Sequence, residues 1–123
     1  MIAGEQEAYQ YVDFLPTYST EDLAGELTKA MDELKDCEGI IIFTDLMGGT
    51  PFNTAAQLGR DKENVRILAG TNLPMLVEVV MSRKFMDDLD GLVDSLLQTG
   101  KEQVAKFEIK KAEQTEPEDE DGI

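Results

Sequence analysis

Apolar positions along the chain fall into two kinds of run. Ile40 to Phe43, entered through Gly39, and Val65 to Ala69 are short, continuous and rich in β-branched side chains, the pattern of strands covered on both faces. Elsewhere the apolar residues recur at three- and four-residue spacing. Leu23, Leu27, Ala30, Met31 and Leu34 mark one helical face behind the capping residues Ser19 and Thr20, and Leu89, Leu92, Val93, Leu96 and Leu97 mark another, closed by Gly100. Two shorter helices are predicted where a strand end meets a proline. One opens at Pro51 and closes at Gly59; the other is entered through Pro74 with Met75, Leu76, Val79 and Val80 facing inward.

Two weaker strands complete the pattern. Gln10 to Leu15 is a short candidate stopped by Pro16, and Lys106 to Lys110 alternates as Lys-Phe-Glu-Ile-Lys, the period of an edge strand with one buried face. Strands alternating with helices predict an α/β fold, an open and mainly parallel sheet with helices on both faces. Residues 1–110 form that domain. Residues 111–123 turn to Glu, Asp, Gln and Pro, with six carboxylates, and are expected to be a solvated, disordered acidic tail rather than a calcium loop. At the other end, Met1-Ile-Ala-Gly4 reads as the closing turn of a helix whose body is absent.

A chain of 123 residues supports one core. The formal charge of −15 excludes nucleic acid and anionic membrane surfaces as partners. No apolar run is long enough to span a bilayer and no signal peptide is evident, so a cytoplasmic protein is expected. Cys37 is the only cysteine. It excludes an internal disulfide and a thiolate metal site, and reads as a structural residue near a strand start. No metal site and no cofactor are expected.

The chemistry concentrates at the junction between the first strong strand and its helix. Thr44 and Asp45 emerge at the strand's carboxyl end, Gly48 and Gly49 permit a sharp turn, and Thr50 and Pro51 fit the N-cap and first helical position. Free N–H groups and the positive helix end favour an anion such as phosphate. A carboxylate there would repel phosphate unless it orients another group that carries it, and the usual candidate is histidine. The chain has no histidine. Ser-His-Asp and Cys-His sites are therefore excluded. A second loop, Gly70-Thr71-Asn72 before Pro74, should line the same crevice, because ligands in open parallel sheets sit outside the carboxyl ends of the strands. Thr71 and Asn72 read equally well as plain helix caps.

Phe43-Thr-Asp-Leu-Met-Gly-Gly-Thr-Pro-Phe-Asn53 and Ala69-Gly-Thr-Asn-Leu-Pro-Met-Leu76 together resemble the signature of the mannose-type enzyme IIA of the bacterial sugar phosphotransferase system, and the resemblance runs from Met1 to about Lys110. It implies a flavodoxin-like, doubly wound fold in a cytoplasmic phosphoryl carrier. A histidine at the end of the family's first strand takes a phosphoryl group from HPr and passes it to enzyme IIB, which serves the membrane components IIC and IID. Asp45 would orient that imidazole, the amides of Gly48, Gly49 and Thr50 would hold the phosphoryl oxygens, and Thr44, Asn53, Thr71 and Asn72 would line the site. A homodimer that exchanges the last strand, matched by Lys106 to Lys110, is also implied. Ile2-Ala-Gly-Glu-Gln6 and Gly100-Lys-Glu-Gln103 look most like members handling N-acetylgalactosamine or related amino sugars. The departure is at the start: the family's first strand, its histidine turn and its helix would precede Met1. A start placed at an internal methionine is one expectation, a split gene another, and in either case this chain alone should not transfer phosphoryl groups. The competing reading is a noncatalytic anion-binding or regulatory module.

Overall fold

The computed structural model describes residues 8–109. The element order is α1 (Thr20–Glu33), β1 (Ile40–Phe43), α2 (Thr50–Gly59), β2 (Val65–Leu68), α3 (Leu73–Ser82) and α4 (Leu89–Glu102). β1 and β2 pair in parallel, with Ile40 opposite Val65 and Phe43 opposite Leu68. Alternation along the strands separates two cores. Ile41, Phe43 and Leu68 pack with Met75, Leu92, Val93 and Leu96 on the α3–α4 side, whereas Ile42 and Ile67 pack with Leu23, Leu27 and Ala55 on the α1–α2 side. The α/β arrangement with helices on both faces of a parallel sheet is therefore present.

Local chemistry explains the element ends. Ser19 Oγ accepts from the Asp22 amide and Asp22 Oδ2 accepts from the Ser19 amide, a reciprocal capping box that starts α1. The N-cap of α2 is Gly49, not Thr50, because Thr50 already has helical geometry and Pro51 follows in the first turn. Gly100 lies inside α4, which continues to Glu102. Its role is clearance: a Cβ there would sit 2.6 Å from Met75 Sδ. Glu78 of α3 accepts hydrogen bonds from Ser95 and Thr99 of α4, which fixes the two helices face to face. Arg66 on β2 grips Asp90 with two bonds of 2.6 and 3.2 Å. That hydrogen bond holds the Asp90 carboxyl below its ordinary range and the guanidinium above its own.

Both weaker strands are absent from the described residues. Residues 10–15 have no ladder partner, and Tyr11 is 78% exposed. Residues 106–109 are likewise without strand structure, with Phe107 and Ile109 each 83% exposed, while Lys110 lies outside the described residues. Residues 106–109 alternate and residues 10–15 are a short apolar run, but a strand exists only where neighbouring main chain is within reach to pair with it. The helix end read at residues 1–4 and the acidic tail at 111–123 lie outside the described residues.

Candidate functional site at the strand ends

The carboxyl ends of β1 and β2 are tied into one platform. Thr44 is buried; its amide and its Oγ1 both donate to Leu68 O, at 2.8 and 3.1 Å, which extends the ladder one residue beyond the strand. The Thr44 carbonyl accepts from Thr71 Oγ1 at 2.7 Å and from the Thr71 amide at 3.2 Å, and the Gly70 amide donates to Asp45 O at 2.8 Å. Gly70 has φ +68, a left-handed conformation that turns the second loop toward the first. Thr44 and Thr71 thus act through the backbone they hold, and Asp45 projects from the platform they make.

Asp45 is exposed, and its Oδ1 accepts from the Leu46 amide at 2.7 Å. This bond pins one carboxylate oxygen and leaves the other able to accept from an added donor. The turn that follows needs Gly48, at φ +83. Asn53 Nδ2 donates to Gly48 O at 2.9 Å and the Asn53 amide donates to Gly49 O at 2.8 Å, so Asn53 locks the turn to the first helical turn. The Gly49 amide is turned inward to Leu46 O at 3.2 Å. Among the described residues the amides of Gly48 and Thr50 make no such bond, and they sit where the positive end of α2 adds its field. Thr50 lines a hollow of about 220 Å³ with Thr20, Asn53, Thr54 and Gln57.

Asn72 serves as the N-cap of α3. Its Oδ1 accepts from the Met75 amide at 3.3 Å and its Nδ2 donates to Gly100 O at 3.0 Å, so the side chain ties α3 to the last turn of α4. Asn72→Ala is expected to cost about 1–2 kcal/mol in stability by chemical denaturation, the loss of a cap and of a partly buried bond.

Exposed apolar side chains flank this site. Leu46, Met47 and Leu73 are 68%, 79% and 58% exposed. Apolar residues inside a Gly-rich turn were the available signal, since such a turn has no core to bury them. Beside Asp45 opens a groove of about 470 Å³ that runs along β1. Among the described residues no group of side chains could hold a metal ion, and no helix is long and apolar enough to cross a membrane.

Comparison with known proteins places this platform in a family. The profile described as "PTS system fructose IIA component" matches residues 1–97. The mannose-specific EIIAB component of Escherichia coli K12 is 36% identical over 117 residues, which cover 95% of this chain and 36% of that protein. The chain therefore spans about a third of the length of those EIIAB relatives. A sorbose-specific EIIA component of Lacticaseibacillus casei is 34% identical over 102 residues, covering 83% of this chain and 72% of the relative. A phosphotransferase system EIIA crystal structure from Streptococcus agalactiae superposes with a TM-score of 0.77 at 34% identity, covering 85% of this chain and 80% of that one. A profile spanning most of the chain and a matching fold above 30% identity agree: this chain belongs to the mannose/fructose/sorbose-type enzyme IIA family of the phosphotransferase system.

Proposed function

We propose that residues 43–53 are the protein half of a phosphohistidine transfer site in a cytoplasmic sugar-uptake phosphorelay. One observation carries the reading: Asp45 presents a carboxylate, already pinned by the Leu46 amide, beside a helix N-terminus with free amides. A carboxylate in an anion site is coherent when an imidazole stands between it and the anion. Asp45 then accepts from one ring N–H, and the opposite ring nitrogen is left as the nucleophile. That nitrogen attacks the phosphorus of a phosphohistidine on HPr, the P–N bond to the donor breaks, and the donor imidazole leaves. The second transfer, to enzyme IIB, repeats the step in the other direction. In this reading the amides of Gly48 and Thr50 stabilise charge on the transferred phosphoryl oxygens. Gly49 shapes the turn, Thr44, Thr71 and Asn53 hold it in position, and Asn72 fixes the neighbouring loop.

The imidazole has to come from outside these 123 residues, which contain no histidine. The coding sequence immediately upstream of Met1 tests this. An in-frame apolar strand followed by a turn with histidine supports the carrier reading; a stop codon directly before Met1 overturns it and favours a noncatalytic anion-binding module. A flavodoxin-like sheet with one further strand in cis belongs to the same reading. The sugar in this reading is an amino sugar, through the resemblance at residues 2–6 and 100–103, or a mannose-type sugar, with the choice made mainly by the membrane components IIC and IID downstream.

A homodimer with an exchanged last strand is part of the proposal. Its support is the alternating segment 106–109, whose Phe107 and Ile109 point into solvent in one chain. The double change Phe107→Asp and Ile109→Asp is expected to convert a dimer to a monomer in light scattering coupled to gel filtration. A wild-type chain that is monomeric at high concentration would remove the exchange.

A further inference from the structure

The hollow of about 220 Å³ beside α2 is bordered by the starts of two helices. Thr20 opens α1 and Thr50 opens α2; Asn53, Thr54 and Gln57 complete its lining. Positions 50, 53, 54 and 57 follow the three- and four-residue spacing of a single helical face, so their side chains share one direction. Thr54 is 3% exposed and the other four residues are exposed, which makes Thr54 the floor and the rest the rim. Among the described residues the Thr54 hydroxyl has no hydrogen-bond partner. A helical threonine ordinarily returns that hydroxyl to the carbonyl of the preceding turn, and buried polar atoms are nearly always paired. The other buried threonine obeys the rule: Thr44 Oγ1 donates to Leu68 O at 3.1 Å. At the rim, the hydroxyls of Thr20 and Thr50 and the carboxamide of Gln57 are also without partners among the described residues, and Asn53 commits Nδ2 to Gly48 O but keeps Oδ1 as an acceptor.

We infer that this hollow binds a small neutral molecule carrying several hydroxyl groups, a sugar or an acyclic polyol, which pairs with Thr54 at the floor and with Thr20, Thr50, Asn53 and Gln57 at the rim. Hydroxyl groups both donate and accept, and so does this set of side chains. The two helix starts add partial positive charge that favours the ligand's oxygens. Other occupants fit worse. An anion would meet no Lys or Arg in the lining, a metal ion would meet no carboxylate, and an apolar molecule would leave the Thr54 hydroxyl buried and unpaired. The volume equals that of on the order of seven waters, room for one sugar ring and too little for a peptide. Thr50 and Asn53 also belong to the turn of the proposed transfer site, but binding in the hollow goes beyond that reading and requires no phosphoryl chemistry.

The test titrates the full 123-residue chain with glucose, sorbitol, cyclohexanol and inorganic phosphate in separate experiments, followed by amide chemical shifts. Glucose or sorbitol should give saturable shifts at Thr20, Thr54 and Gln57, with half-saturation on the order of 1–10 mM for a ligand this small. The tighter of the two tells a cyclic ligand from an acyclic one. Cyclohexanol, similar in size with a single hydroxyl, should not saturate. Thr54→Val keeps the shape and removes the hydroxyl, so it should weaken binding about tenfold. The same change should leave the urea midpoint of the ligand-free protein unchanged or raised, because no bond is lost. Gln57→Ala, on the exposed rim and clear of the core, should also weaken binding. Shifts that only grow linearly with both polyols, full binding by Thr54→Val, or a urea midpoint lowered by that change overturns the site. Tighter saturation of the same three amides by phosphate overturns the neutral ligand. None of these readouts involves phosphoryl transfer, so the hollow and the carrier reading stand or fall separately.

Discussion

Asp45→Asn, introduced into a form that carries the histidine strand, is expected to slow phosphoryl transfer from HPr about 100-fold while leaving the affinity for HPr nearly unchanged. Oδ1 of Asp45 accepts from the Leu46 amide, which orients the carboxylate and leaves Oδ2 to meet the imidazole. An asparagine keeps the shape but loses the charge. If its NH₂ group turns toward the ring, it donates where the carboxylate accepted, and the nucleophilic nitrogen then carries the proton. General-base and tautomer effects of this kind are worth about 10²–10⁴ in rate. Rapid-quench transfer kinetics would separate the two parameters: a fall in the rate constant with an unchanged half-saturating HPr concentration is expected. Unchanged kinetics would strip Asp45 of its orienting role.

Leu96→Ala is expected to lower the unfolding free energy by about 2–5 kcal/mol in urea denaturation, without altering the slope. Leu96 is fully buried among Leu68, Met75, Leu92 and Val93. The site cannot collapse easily, because Gly100 already brings α4 against Met75 and the Glu78 bonds to Ser95 and Thr99 fix the helix pair. Domain stabilities are only about 5–15 kcal/mol, so this single truncation removes a large share. Met81→Ala, at a position 65% exposed on α3, is the control and should change stability by less than about 0.5 kcal/mol. A loss below about 1 kcal/mol for Leu96→Ala would mean that the α3–α4 core is not packed as described.

What could be read from the residues was the part whose cause is local. The β-branched runs gave β1 and β2, the three- and four-residue spacing gave α1 and α4, and prolines behind strand ends marked where α2 and α3 begin. Pairing is not local. Residues 106–109 carry strand alternation and residues 10–15 a weaker apolar signal, yet the main chain that would pair with either is not beside it. Gly100 looked like a helix stop, but its cause lies in Met75, a residue from another helix. The cap of α2 fell on Gly49 rather than Thr50 because the backbone enters helical geometry one residue earlier than side-chain preference indicates. At the site, the Asp45 to Asn53 turn was legible because glycines, a proline and a carboxylate follow one another directly behind a buried strand, although the glycine pair alone says no more than a tight turn. The groove was not, since it is made by what three separate segments leave between them.

The most direct measurement is acid-labile phosphoryl uptake in the presence of enzyme I, HPr and phosphoenolpyruvate, compared for this 123-residue chain and for a form extended at its N terminus by an apolar strand ending in histidine. The chain alone should take up none, and the extended form should approach one phosphoryl group per chain, with the label lost on mild acid treatment. Stoichiometric uptake by the chain alone, or none by a folded extended form, would contradict the assignment of residues 43–53 as half of a phosphohistidine site.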